Sequence, residues 1–251
     1  MGSARIIRVA SADNGVAATT LRDGIAALQA ELRVTPEFPP EVEEAAAAAA
    51  ANPSLPELDR TDLPFVTIDP ETSMDLDQAL HLERDGDGYV VHYAIADVAA
   101  FVAPGDPVDL EANKRGETLY AADAKIPLHP KVLSEDAASL LPDQVRPALL
   151  WTHKLDAAGE GTDTFVERAL VRSRAKLSYD GVQKMFDGDG FGETDYADSL
   201  QLLKEIGEKR IALEAARGGV NLPLRDQEIS VQGDQWSLEY QIGRASCRER
   251  V

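Results

Sequence analysis

Thr67-Ile68-Asp69-Pro70-Glu71-Thr72-Ser73-Met74-Asp75-Leu76-Asp77-Gln78-Ala79-Leu80 places three aspartates between an apolar strand and a second, alternating one. Carboxylates this close repel one another, so a folded loop that keeps them together calls for a cation. The donors are hard oxygens, which suit Mg²⁺ or Mn²⁺. Asp75 and Asp77 are two apart and share a side if the segment is extended. A solvated acidic loop in an acidic protein is the alternative that spacing alone leaves open. An EF-hand is a poor fit, because no glycine follows Asp77 at the turn position and no glutamate closes a loop of the right length.

Outward from this loop the text is β-rich. Phe65 to Asp69, Ala79 to Glu83 and Tyr89 to Ala96 read as strands, the last two joined at Asp85-Gly86-Asp87-Gly88. Leu149 to Leu155 and Thr164 to Arg172 form a second hairpin around Ala158-Gly159-Glu160-Gly161. Ser178 is placed to cap a short helix reaching Phe186. Asp187-Gly188-Asp189-Gly190-Phe191-Gly192 resembles a calcium loop only until Phe191, which occupies a ligand position, so it reads as a connector. Tyr196 to Ala216 is an amphipathic helix that Gly218-Gly219 ends, and Glu228 to Val231 with Trp236 to Tyr240 form a last hairpin. Before the acidic loop, Thr20 to Leu32 has a helical period in Leu21, Ile25, Leu28 and Leu32. Pro36, Pro39 and Pro40 break it, and Glu41 to Ala51 is a second helix. The fold class is therefore α+β, a mixed or antiparallel sheet with packed helices behind a small helical leader in residues 1–60.

The chain has 251 residues, 44% of them hydrophobic, enough for a substantial core. Its formal charge of −19 argues against a general nucleic-acid coat, which would show a basic stripe. An acidic surface still permits a locally basic channel, for which Lys114, Arg115, Lys125, Lys131, Arg146, Arg172, Arg174 and Lys176 are the cations at hand. No apolar run has membrane-spanning length, and Arg8 interrupts Ile6-Ile7 before a signal-peptide core can form, so the expectation is a cytoplasmic protein with no membrane partner. Residues 242–251, Ile242-Gly243-Arg244-Ala245-Ser246-Cys247-Arg248-Glu249-Arg250-Val251, are arginine-rich without an apolar period. They back-translate into a short-read sequencing adapter, which makes them a non-native tail by expectation. Cys247 is the only cysteine, so the rest of the chain offers no disulfide-linked partner and no thiol nucleophile. His92 and His129 have no Ser, Cys or metal-site partner at telling spacing, which leaves a serine-hydrolase reading without support.

Leu63 to Asp69, Asp75 to Leu80, and Val91-His92-Tyr93-Ala94-Ile95-Ala96-Asp97-Val98 together resemble the opening of the catalytic domain of the ribonuclease II family, the RNB exoribonucleases. Ile126-Pro127-Leu128-His129-Pro130, Leu133-Ser134, Ala138-Ser139-Leu140, Val145-Arg146-Pro147-Ala148 and Arg174-Ala175-Lys176-Leu177-Ser178-Tyr179 follow in the family's order. The resemblance covers roughly Asp62 to Tyr240 and makes residues 61–241 the N-terminal part of an incomplete RNB catalytic domain. It implies a metal-dependent 3′ to 5′ exoribonuclease that degrades single-stranded RNA to nucleoside monophosphates with Mg²⁺ or Mn²⁺. Asp69, Asp75 and Asp77 match three of the family's four metal-binding aspartates and would be catalytic. The fourth position is Gln78, an oxygen ligand without charge. Tyr120 and Tyr179 match aromatic residues along the RNA path, where stacking accepts any base; ordinary core packing is the alternative for each. The family's arginine-bearing motif and C-terminal barrel lie downstream, so this chain is expected to be a truncated and weakly active fragment. A non-catalytic RNA-binding or regulatory relative, its metal site impaired by Gln78, is the competing expectation, and an acidic calcium-binding module is a third.

Overall fold

The computed structural model describes residues 14–32, 35–120, 125–220, 225–232 and 235–242. Two helices, α1 (Asn14–Glu31) and α2 (Pro40–Ala51), precede β1 (Phe65–Ile68), β2 (Gln78–Asp85) and β3 (Gly88–Ala96). Then come α3 (Pro107–Arg115), the short strands β4 (Leu119–Tyr120) and β5 (Lys125–Ile126), and the long hairpin of β6 (Val145–Leu155) and β7 (Gly161–Leu177). The short α4 (Tyr179–Lys184), the long α5 (Ala197–Ala216) and the hairpin of β8 (Arg225–Gln232) and β9 (Gln235–Ile242) follow. Of the predicted tail only Ile242, the last residue of β9, lies among the described residues.

The expected sheet is closed on itself. Strands β1-β2-β3-β6-β7 form a barrel in which every pairing is antiparallel except β1 with β7. Closure removes the unpaired edges that an open sheet would expose. Five strands leave a narrow interior, and the sequence fills it with small residues. Ala79 sits opposite Ala94, Ala94 opposite Leu150, and Ala148 opposite Ala169, all buried with Phe65 and Val171. On the outer face Val66, Ile68, Leu80, Leu82 and Tyr89 are covered by Val182 of α4 and by Leu200, Leu202, Leu203 and Ile206 of α5. Ser199, in the first turn of α5, accepts the Leu82 N–H at 2.9 Å, which satisfies a strand donor beyond the short pairing with β1.

Residues 54–60 are stitched along the barrel. The Leu170 N–H donates to Leu58 O and the Arg60 N–H to Leu170 O, while Arg168 reaches Ser54 O at 3.1 Å. Val42 and Ala46 of α2 pack on Val108 of α3 and on Leu133. Ser178 caps α4 as expected, its hydroxyl accepting the Gly181 N–H at 3.1 Å. Among the described residues no helix is long and apolar enough to cross a membrane.

Candidate metal and RNA site

The loop from β1 to β2 crosses one end of the barrel, and each of its turns is held by a different part of the chain. The Asp69 N–H continues the parallel ladder by donating to Leu177 O at 3.0 Å. The Lys176 ammonium donates to Glu71 O at 2.7 Å and also to Ser73 O, closing the turn after Pro70. Leu76 is fully buried in the barrel core while Asp75, partly buried, and Asp77, exposed, flank it, so the two carboxylates share the outer side as an extended segment requires. The buried Ser139 hydroxyl accepts the Leu76 N–H at 2.9 Å and donates to Met74 O at 2.7 Å. The Leu140 N–H donates to Leu76 O at 2.9 Å and the Ala96 N–H to Asp77 O at 2.8 Å.

The electrostatics report crowding. Asp77 has its pKa raised, first by burial among the surrounding atoms and then by the charges of Asp75 and Asp69. Its own surface is open to solvent, so the like charges make the firmer physical case for the shift. Lys125 supplies the opposing charge: its Nζ lies 2.9 Å from Asp75 Oδ1 and 3.4 Å from Glu135 Oε1. Burial disfavours that ammonium, but the hydrogen bond and charge of Asp75, followed by Glu135, hold its pKa above the ordinary lysine value. The Gln78 amide oxygen accepts the Tyr93 hydroxyl. Tyr93 has its pKa raised by burial, by Tyr179 and by Asp69, which puts Tyr179 at the same barrel end as the loop.

Among the described residues no three His, Cys, Asp or Glu side chains close as a ready metal cage. The three aspartates are within electrostatic reach of one another, and the ammonium on Asp75 stands where a cation is needed. The donors are all oxygen, the chemistry that Mg²⁺ or Mn²⁺ takes: Asp69, Asp75, Asp77 and the Gln78 oxygen would hold such an ion, and Lys125 is the charge it would displace from Asp75.

Tyr120 is 78% exposed and sits opposite Lys125 in the β4–β5 pairing, so register places an open aromatic ring beside the acidic loop. Tyr179 is half-buried against the outer core under α5. For Tyr179 the packing role is visible; for Tyr120 it is not. Three of the eight cations considered for a channel turn inward. Arg115 pairs with Glu111, donates to Pro127 O and Glu37 O, and lies 3.7 Å over the Phe38 ring. Arg146 donates to Ser139 O, and Arg174 to Thr61 O. These are braces for the fold. A small cavity of about 50 Å³ beside Asp77 is lined by Ala96, Phe101, His129 and Leu133, and burial lowers the His129 pKa.

Ser139, Tyr93 and Glu135 were not singled out by sequence. The signal for Ser139 was available: a lone hydroxyl in Ala138-Ser139-Leu140 must find partners once its apolar neighbours are buried.

Residues 58–246 match the family model of the RNB domain. Exoribonuclease 2 of Yersinia enterocolitica is 38% identical over 168 residues, an alignment covering 65% of this chain and 26% of that protein. Ribonuclease R of Escherichia coli is 34% identical over 168 residues, covering 65% and 21% respectively. The chain thus spans about a quarter of the length of the curated relatives it matches. Among solved structures, Mycoplasma genitalium RNase R in complex with ribose methylated single-stranded RNA superposes with a TM-score of 0.81 at 26% identity, over 90% of this chain and 36% of that one. Yeast Ssd1, a pseudonuclease, shares the fold with a TM-score of 0.55 at 18% identity over 66% of this chain and 21% of that one.

Proposed function

Because the chain belongs to the RNB-domain family, we propose that it carries the metal-holding part of a 3′ to 5′ exoribonuclease that degrades single-stranded RNA to nucleoside monophosphates in the cytoplasm. The observation that carries this reading is the stapled acidic loop, whose turns are held by Lys176, Ser139 and Leu140 and in which burial, then the charges of Asp75 and Asp69, raise the pKa of Asp77. Mg²⁺ or Mn²⁺, when bound, supplies Lewis acidity for the scissile phosphate and a site where water ionises more readily. Asp69, Asp75 and Asp77 hold and orient that charge. Gln78 adds an oxygen but no charge, and its bond from Tyr93 fixes the amide rather than leaving it free to turn. The open ring of Tyr120 offers a π face to a terminal base of any identity, a contact of about 1 to 3 kcal/mol.

A second reading, an RNA-binding relative without chemistry, is favoured by one observation: the fourth oxygen position is neutral and one of its two lone pairs already accepts the Tyr93 hydroxyl. The fold alone accommodates either, since the pseudonuclease Ssd1 shares it. A 5′-labelled single-stranded oligoribonucleotide, incubated with the full-length protein and Mg²⁺ and resolved on a gel, separates them. Shortening from the 3′ end that Asp77→Asn abolishes supports the exonuclease. An intact oligonucleotide that is nevertheless retained by the protein supports the second reading, and internal cuts refute the first.

A further inference from the structure

We infer that Ser139 is a positioning residue that sets the backbone of the two central aspartates, a role that rests on the proposed metal site. Its hydroxyl bonds to Met74 O and to the Leu76 N–H, and these belong to the two peptide units on either side of Asp75. Fixing both planes fixes φ and ψ of Asp75, and so the direction in which its carboxylate leaves the chain. The next residue of the same segment repeats the grip. The Leu140 N–H takes the Leu76 carbonyl, which fixes the peptide entering Asp77, and the Ala96 N–H takes the carbonyl leaving it. Two neighbouring residues of one turn therefore hold three of the four peptide groups around Asp75 and Asp77.

The turn is itself braced. Arg146 Nε donates to Ser139 O at 3.1 Å, and the Ser139 N–H donates to Asp136 O at 3.1 Å. Position 139 is only 1% exposed, so no water can replace the hydroxyl's two partners. A hydroxyl is among the few small groups that donate and accept at once, which is what a carbonyl and an N–H on successive peptides require. The same commitment excludes Ser139 as a nucleophile, because its proton is engaged and its oxygen is buried. Arg146, a residue that sequence alone would place in an RNA channel, is assigned here to the far end of this brace.

The test uses the chain with Mn²⁺ as probe, in three variants. Ser139→Ala removes both bonds, Ser139→Thr keeps the hydroxyl, and Leu203→Ala empties the outer core under α5, a cluster that contains neither Leu76 nor Leu140. Partners of metal ligands typically change affinity by roughly 10- to 100-fold when lost, and Ser139→Ala is expected to weaken Mn²⁺ binding within that range. Leu203→Ala, at a comparable loss of melting temperature, is expected to bind as the wild type does, and Ser139→Thr to lie close to it. Hydrogen exchange at the Leu76 amide gives a readout independent of any ion: it is expected to accelerate in Ser139→Ala alone. Wild-type affinity in Ser139→Ala, or an equal loss in Leu203→Ala, overturns the positioning role. If the wild type binds no Mn²⁺ the site reading fails, and unchanged Leu76 exchange in Ser139→Ala would overturn the clamp as well.

Discussion

Replacing Lys125 by Met asks whether an internal ammonium now occupies the place of the ion. Lys125 Nζ lies 2.9 Å from Asp75 Oδ1, with the side chains 29% and 26% exposed. At an effective dielectric near 20, such a pair attracts by about 6 kcal/mol. Desolvating both charges and the access of water to each remove most of that, leaving a net of about 1 to 2 kcal/mol. An ion that recruits Asp75 must first undo this pair. Lys125→Met removes the competitor and leaves the loop more negative, and both effects act in the same direction. Converted at about 1.4 kcal/mol per decade, the dissociation constant for Mn²⁺ should fall roughly 5- to 30-fold. In EDTA the same variant should melt at lower temperature, because Asp75 then loses its ammonium and only Lys131, 3.5 Å from Glu135 Oε2, opposes the two carboxylates, and saturating Mn²⁺ should restore the loss. Calorimetric titration and thermal unfolding with and without the ion measure the two effects. Unchanged or weaker Mn²⁺ binding in Lys125→Met would refute the exchange of ammonium for metal at Asp75.

Two further outcomes follow from groups away from the loop. His81 is buried, its Nδ1 has no hydrogen-bond partner, and its ring stacks on His92 at 5.9 Å. Burial, then the charge of His92, lowers its pKa from the ordinary 6.5, so the unfolded chain takes up the proton first. Stability should be lost as pH falls below about 6.5 towards the folded value and be unaffected above it; His81→Leu should flatten that slope in thermal melts, and an unchanged slope would remove His81 as its source. Asp97 is 2% exposed and receives Arg168 Nε at 2.6 Å, so Arg168→Met should cost about 2 to 4 kcal/mol in urea unfolding. Asp97→Asn should cost less, since the guanidinium is 43% exposed and water can take over its donors; the opposite order would show that the carboxylate is solvated after all.

How much was legible depended on the range of the signal. Strands β2 and β3 were read from alternation and from Asp85-Gly86-Asp87-Gly88, where Gly86 takes φ of 60°. Gly88 was read as a turn residue, yet its stricter constraint is tertiary: a Cβ there would lie 2.2 Å from Leu155 O on β6. The parallel pairing of β1 with β7 joins Phe65 to Ser173, and nothing local to four apolar residues says which distant strand will lie beside them, so a sheet was expected where a barrel forms. Helix α3 was missed although Asp106 caps it through the Asp109 N–H and Pro107 begins it, a pair of signals short enough to read. The acidic loop was visible from its charges. Its clamp was not, because Ser139 lies 63 residues from Leu76 in sequence. The cations misled for a chemical reason: a guanidinium suits a phosphate and a buried carbonyl equally, and only the fold shows Arg115 and Arg146 facing inward.

Asp77→Asn tests most directly whether the acidic loop holds a divalent ion, with little confusion from unfolding. The pKa of Asp77 is raised in the folded chain, so stability tied to its protonated form is lost as pH rises from 3.8 through the folded value. At neutral pH its charge is thus a cost that only a cation relieves, and the neutral isostere should melt no lower than the wild type in EDTA. Titration with Mn²⁺, read by calorimetry at pH 7, should give saturable binding in the wild type and markedly weaker binding in Asp77→Asn, with a thermal stabilisation by the ion that the variant largely lacks. Indistinguishable isotherms for the two proteins would contradict the assignment of the loop as the metal site.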